Sequence, residues 1–354
     1  MKAKVINNNV IASKLAQVEE KQKQEIPAGY LEVRLSTKGK VGAPPVVHVR
    51  NFRMGEVLSL SLTDDSELPR RLIEVLNEMV LEDTDIADWH ENEVTELLVY
   101  IYANFFRNEI EVRYPYDEED IQWLREHGQE DKAEYILSGE QRPVAQVNIL
   151  RDADTYAIAD DFKSEFTITN KSTGFHCTFG FIRYGDQLVV KEALDSIFGE
   201  EEERFRGLVE KIRYNNDILV KRVKNPSYDL PLIQIDTREE KDYEDYVSKR
   251  VEVLTDIVRY LSIVDYDGKD VRDMPLREKY ELLSNDARID VGMMSALDKK
   301  REGMKFGLKP TVMMKNPIRG EGGMVEKPLS FRAVTFLKAT VLQGADGHDG
   351  YDID

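Results

Sequence analysis

DWHENEVTELLVYIYANFF, residues 88–106, is the stretch on which the fold turns. Val94, Leu97, Leu98, Ile101 and Phe105 recur at helical spacing, and Val99, Tyr100, Tyr102 and Phe106 occupy the other faces. A helix apolar nearly all round is buried on most of its sides, so this one is predicted to sit at the centre of a first domain. Asp88 followed by Glu91 has the pattern of a capping box that would open it.

A buried helix needs neighbours, and the flanking sequence supplies them. Upstream, Leu68, Leu72, Leu76 and Met79 keep helical register behind Pro69, a residue tolerated in a first turn. Further upstream, Tyr30 to Leu35 alternates apolar and polar residues, and Val46 to Val49 forms a second extended run. The two predict a hairpin whose long tip, Thr37 to Pro45, is rich in Gly and Pro and mobile. Downstream, Asp117 to His127 and Glu130 to Leu137 read as surface helices stopped by Gly128 and Gly139.

Beyond Asp154 the period changes. Phe166 and Ile168 precede a turn at Asn170 to Gly174, after which Phe175, Cys177, Phe179 and Phe181 fall on one face at period two. Gly185-Asp186 supplies a further turn and Leu188 to Val190 a third strand, completing a meander. Glu200 to Glu203 is placed at the N-terminus of a helix bearing Phe205, Leu208, Val209 and Ile212, where acids suit the macrodipole. Asn225 to Pro231 is a break. Thr237 and Glu240 open the strongest helix, about seven turns long, through Leu261. A hairpin turning at Asp267-Gly268, helices near Pro275 to Leu283 and Asp286 to Arg301, and short strands around Arg319 to Gly323 complete the chain.

The predicted class is α+β, mostly α-helical, with small antiparallel β-hairpins and a central β-meander. The divisions are an N-terminal arm (1–26), a hairpin plus helical domain (27–150), a β-meander domain with helices (151–231), a C-terminal helical domain with short strands (232–342) and an acidic tail (343–354). Several domains are expected at 354 residues.

Composition narrows the functional classes. The net charge is −18, and the best basic cluster, Lys221, Arg222 and Lys224, reads as a solvated strand edge, so no nucleic-acid partner is expected. No apolar run approaches the roughly 20 residues of a membrane span, and no secretory h-region opens the chain. Cys177 is the one cysteine, which excludes an intrachain disulfide and a cysteine zinc cage. Synthesis in a reducing cytosol follows.

Catalytic and metal patterns are weak. His48, His90, His127, His176 and His348 include no paired zinc spacing. His176 and Cys177, adjacent on a strand, point to opposite faces, so Cys177 is expected to be structural. The run from Asp265 to Asp270 has its glycine fourth rather than sixth, and Leu276 stands where a calcium loop has its glutamate, which leaves a hairpin turn. Arg319 to Gly323 lacks the Gly-Lys-Ser/Thr ending of a phosphate loop. No active site, cofactor or metal is expected.

Val46-Val47-His48-Val49-Arg50 leading into Phe52-Arg53-Met54-Gly55-Glu56, two helices and the run Leu97 to Phe106 resembles the opening of the baseplate hub and hub-assembly proteins of T4-like contractile-tailed bacteriophages. Ile263 to Arg277, leading into Leu282 and Leu283, and later Phe306-Gly307 carry the resemblance near the other end. It covers about half of the chain. Cysteine pairs found in related proteins are absent from Lys305 to Pro317, and the central meander has no counterpart.

The resemblance implies a non-enzymatic structural subunit of a tail baseplate or central hub. Its partners would be other tail or baseplate proteins, in the host cytoplasm during assembly and then in the virion, with oligomerisation inside the assembly open. A tail-assembly chaperone absent from the mature particle is the alternative, and an enzyme with an unfamiliar site a third. Lys38, Lys40, Val41, Pro44 and Pro45, in the loop between the first two strands, are the candidate partner-binding residues, against the plainer reading of an idle hairpin tip.

Overall fold

The computed structural model describes residues 26–329, apart from 65–66, 140–142, 225–229, 284–285, 287 and 321–323. The arm before Ile26 and the tail over 343–354 therefore lie outside the described residues, as do most of the break at 225–231 and the loop beyond Gly320. Helix α3, Glu91–Phe105, organises what surrounds it. It begins later than the capping signal suggested: the N-cap is His90, whose imidazole accepts the Asn92 N–H, while the Glu93 side chain accepts the His90 N–H. Asp88 instead ends a short 3-10 turn, Ile86–Asp88.

Two cores share α3, which explains its all-round apolar character. Val94, Leu97, Leu98 and Ile101 enter a core with β1 (Tyr30–Arg34), β2 (Val46–Arg50), α1 (Met54–Leu62) and α2 (Leu68–Met79). Leu68, Leu72, Leu76 and Met79 are all buried there, as their spacing requires. Val99, Tyr102 and Ala103 face a second core with β3 (Glu109–Arg113), α4 (Glu118–Glu126), α5 (Glu130–Leu137) and β4 (Val144–Asn148). Gly128 and Gly139 follow α4 and α5 with positive φ, the C-terminal geometry that favours glycine.

The second core also takes Val312, Met314 and Ile318 from the far end of the chain. Short α6, Ile149–Asp152, leads into β5 (Ala153–Thr155), which pairs with β10 (Leu308–Lys315), and β10 with β11 (Met324–Pro328). The division expected at 150/151 is thus spanned by α6, and a hydrogen-bonded sheet joins segments placed on either side of 231/232.

The meander is real but differently completed. β6 (Phe166–Thr169) and β7 (His176–Phe179) pair antiparallel as expected. Leu188 to Val190 is not a third strand: Asp186–Lys224 is one helix, α7, of 39 residues. The third strand is β8 (Ile263–Tyr266), followed by β9 (Lys269–Asp270), in the order β6-β7-β8-β9. Asp267 and Gly268 turn that hairpin with φ of 52° and 84°, the pair of positive values a tight two-residue turn demands. Phe175, Cys177 and Phe179 are buried in a third core with Ile263, Val271, Met293 and Leu297. Phe181 leaves that face and packs against Phe162, Phe306 and His90.

Glu200 to Glu203 lies inside α7 rather than at a helix start, and Lys221, Arg222 and Lys224 lie on its last turn rather than on a strand edge. Local signals misled at both places because packing overrides them: Leu194 and Phe198 bury against α8 (Thr237–Leu261), which carries the helix through Gly199. α8 is capped by Asp236, whose side chain accepts the Arg238 N–H. Then come α9 (Leu276–Leu283) and α10 (Val291–Glu302), the latter capped by Asp290 rather than starting at Asp286. The class is α+β, with ten helices among the described residues. None of them is long and apolar enough to cross a membrane.

Candidate interaction site

The loop between β1 and β2 is built onto α3. Glu93 accepts from the Thr37 hydroxyl at 2.6 Å and from the Gly42 and Ala43 N–H groups, each at 3.1 Å. Glu96 accepts from the Ser36 N–H at 2.9 Å and the Ser36 hydroxyl at 2.7 Å. Burial, with Glu93 nearby, pushes the Glu96 carboxyl up. Thr37 and Ala43 are fully buried, so the tip expected to be mobile has a core of its own, made of a glutamate pair rather than apolar side chains. Gly42 is required there: a Cβ would stand 2.5 Å from the Asp88 carbonyl oxygen and 2.8 Å from the Trp89 Cα.

The five partner-binding candidates separate. Val41, with Gly42, lines an open cleft of about 790 Å³. Lys40 donates to the Ala159 and Asp160 carbonyls at 2.7 and 2.6 Å, fastening the loop to the segment before β6. Lys38, in a left-handed conformation, and Pro45, stacked over Gly39, are exposed on the outer side, and Pro44 is half-buried. None of these four reaches the cleft lining.

Opposite Val41, the cleft is walled by the end of β7, the start of α7 and the loop into α9. Tyr184 and Gly185 donate their N–H groups to the Trp89 and Ala87 carbonyls at 2.6 and 2.9 Å, pinning the start of α7 to the turn before α3. That places Arg183 among three acids: Asp88 at 3.3 Å, Asp273 at 3.2 Å and Asp186 at 3.5 Å. Arg272 pairs with Glu165 at 2.7 Å. Phe181, Val264, Met274 and Leu276 provide apolar lining. Acids exceed bases around the cleft, and Asp88 and Asp273 are its most water-facing charges.

Beneath the cleft, Lys279 is 1% exposed and donates to the carbonyls of Leu261, Ile263 and Arg272 at 3.3, 2.9 and 3.2 Å. Burial lowers its pKa to about 8. His90 borders the cleft with its ring edge-on to Phe181 and Phe306, at centroid distances of 5.4 and 4.8 Å. Desolvation, then the positive Arg301, lowers its pKa to about 4, so it is neutral at pH 7, with Nδ1 as the helix-capping acceptor.

Each charged group of the cleft is committed to a partner, and the lining is mixed, with more polar than apolar surface and Phe181, Val264, Met274 and Leu276 as its apolar part. Among the described residues no group of three or more His, Cys, Asp or Glu is placed to hold a metal ion. Cys177 is buried, and its thiol is pushed up to about 12, chiefly by desolvation. Asp265 accepts the Gly268 N–H at 3.0 Å inside the turn of the β8–β9 hairpin. Arg183 and Asp273 carry no local pattern that singles them out, and the patterns that Asp88 and Phe181 do carry point to a helix cap and a strand face, because the contacts joining the four run between segments about 90 residues apart. No family model, no curated protein and no solved structure matches the chain.

Proposed function

We propose that the chain is a non-enzymatic structural subunit of a contractile-tailed phage baseplate or central hub, acting through protein–protein interfaces. The observation that carries the interface reading is the cleft beside Val41, preformed by the Glu93 and Glu96 anchors, lined in part by apolar side chains and ringed by paired charges. Preorganised surfaces of this kind bind without spending free energy on ordering themselves. The phage assignment rests on the resemblance carried by Val46 to Glu56, which form β2 and the entry to α1, and by Ile263 to Arg277, which form the β8–β9 hairpin and the entry to α9. A segment bearing an apolar anchor and a basic residue matches the cleft best.

Quantitative mass spectrometry of purified particles and of tail intermediates from infected cells tests this reading. A structural subunit is present in both at a fixed ratio to other baseplate proteins. Presence on intermediates but not on particles would make it the assembly chaperone. Absence from both overturns the proposal. Within it, Val41→Asp should reduce incorporation while leaving the circular dichroism spectrum intact, since Val41 lines the cleft and packs into none of the described cores.

A further inference from the structure

The cleft beside Val41 keeps an unbalanced charge. Its lining holds the carboxylates of Asp88, Glu165, Asp186 and Asp273 against the guanidinium groups of Arg183 and Arg272. Glu165 takes Arg272, whereas Arg183 is shared among the other three acids. Buried Lys279 beneath the cleft bears chiefly on Asp186, so the excess lies at the rim. There Asp88 and Asp273 have side chains 63% and 83% exposed. His90 does not offset them, because it is neutral at pH 7. An occupant that suits this cleft brings positive charge to the rim and apolar side chains to Phe181, Val264, Met274 and Leu276.

The chain itself carries such a segment. Residues 330–342, outside the described residues, read SFRAVTFLKATVL, with Arg332 and Lys338, no acid, and apolar residues from Phe331 to Leu342. The last described residues aim this segment at the cleft. β5 and β11 flank β10 and both run antiparallel to it, so the two run in the same direction. The chain leaving β5 reaches the cleft lining at Ser164, nine residues on from Thr155. The chain leaving β11 sets out the same way: the Leu329 N–H donates to the Pro310 carbonyl at 3.0 Å, heading for Leu308 and then Phe306. The Phe306 ring lies 4.7 Å from that of Phe181, in the cleft wall. The N-terminal arm is also apolar and basic, but it enters β1 at Tyr30, paired with Arg50, at the end of the hairpin remote from Val41.

We infer that residues 330–342 occupy the cleft of their own chain, with Arg332 and Lys338 on the Asp88–Asp273 rim and apolar side chains over Phe181 and Met274. A partner segment of the same chemistry has to displace them. The inference rests on the interface reading of the cleft, whose resident occupant it names, and not on the phage assignment. A tethered segment meets its site at an effective concentration on the order of millimolar. A cleft that binds the free segment with a dissociation constant of about 100 μM is then about nine-tenths filled in cis. Such occupancy weakens a competing partner about tenfold, which excludes weak binders and admits strong ones.

Maleimide labelling of Val41→Cys in the full chain tests it, since Cys177, the sole native cysteine, is fully buried. The expected result is a rate that rises about tenfold when Arg332→Glu and Lys338→Glu are added, with the circular dichroism spectrum unchanged. Arg332→Gln with Lys338→Gln should shift the rate in the same direction, should the double reversal disturb the fold. A synthetic peptide of residues 330–342 should slow labelling of the charge-reversed chain, to half at about 100 μM. The same peptide with both positions changed to glutamate should not. Protection in cis is independent of protein concentration between about 1 and about 100 μM. Protection that grows over that range belongs to a second copy and overturns the inference. So does a rate that neither pair of substitutions changes, whatever else covers Val41, the N-terminal arm included. Either failure leaves the interface reading intact, since that reading is decided by incorporation of Val41→Asp and needs no occupant in cis.

Discussion

Glu93, on α3, is completely buried, while Val251, on α8, is 57% exposed, the reverse of what either residue type does on average. Away from the α7/α8 hairpin the protein encloses charge and satisfies it: Glu93 and Glu96 on α3 hold a loop, Asp120 on α4 receives Asn316 and Arg319, and Lys279 on α9 joins three carbonyls. Along the α7/α8 hairpin the charges are solvated and apolar residues remain in water. The body therefore obtains its specific shape from buried polar anchors, whereas the hairpin keeps its ion pairs and part of its apolar surface in water. The same difference determines how each part should respond to substitution.

The largest contrast is expected for apolar truncation. Leu97→Ala removes a fully buried side chain from the wall between two cores and should cost about 2–5 kcal/mol. Val247→Ala, at a partly exposed position, should change the stability of the single chain by less than about 0.5 kcal/mol. Urea unfolding measures both. Equal costs would mean that the hairpin is as integral to the fold as α3.

Next come the anchors of the β1–β2 loop. Glu93→Ala leaves the Thr37 hydroxyl and the Gly42 and Ala43 amides without their acceptor, at about 3 kcal/mol. Gly42→Ala drives a methyl group into the Asp88 carbonyl and should cost about 1–3 kcal/mol. Shortening the loop to a tight turn should likewise destabilise the fold, since it removes those amides. An idle hairpin tip would tolerate all three changes, and unfolding midpoints at wild-type values would return the loop to that status.

How far these features could be read in advance depended on the range of the interactions. The spacing of Leu68, Leu72, Leu76 and Met79, the glycine stops at 128 and 139, and Asp267-Gly268 are local signals, and they located their elements. α7 was split because Leu188 to Val190 resembles a short strand and Glu200 to Glu203 resembles a helix start; only the facing helix α8 shows that both are interior. The pairing of β7 with β8 and of β5 with β10 was not legible, since strands so far apart carry no mutual signature. Val41 lies in the loop between the first two strands, but the cleft it lines depends on Arg183 and Asp273, which only the folded chain brings together.

The junction of the body should show an acid limb. An unfolded imidazole takes up a proton near pH 6.5, whereas His90 in the folded chain does so only near pH 4, because it is desolvated and faces Arg301. Across that window protons favour the unfolded state, so stability falls as pH drops from about 6.5 to about 4, by on the order of 2 kcal/mol. His90→Asn keeps a capping acceptor and removes the titration, so its stability should be flatter over the same window. An identical acid limb in that variant would assign it to other groups.

The smallest contrast concerns two ion pairs of similar geometry. Arg50 and Glu56 approach at 2.6 Å with side chains only 13% and 10% exposed, and a second bond at 2.9 Å makes the contact bidentate. Their hydrogen bond raises the Arg50 pKa and lowers that of Glu56. Arg204 and Asp242 bridge the hairpin at 3.1 Å with side chains 63% and 56% exposed. Low dielectric and two parallel bonds strengthen the first pair, although its members have also lost hydration, so a coupling of about 1–2 kcal/mol is expected from a double-mutant cycle. Water screens the second, and holding two long side chains together costs entropy, so its coupling should be about 0.5 kcal/mol or less. Added salt should erase the second coupling and reduce the first only in part, because buried pairs are screened less. Equal couplings that fall together with salt would show that the body and the hairpin meet solvent in the same way, and the contrast between them would then rest on apolar burial alone.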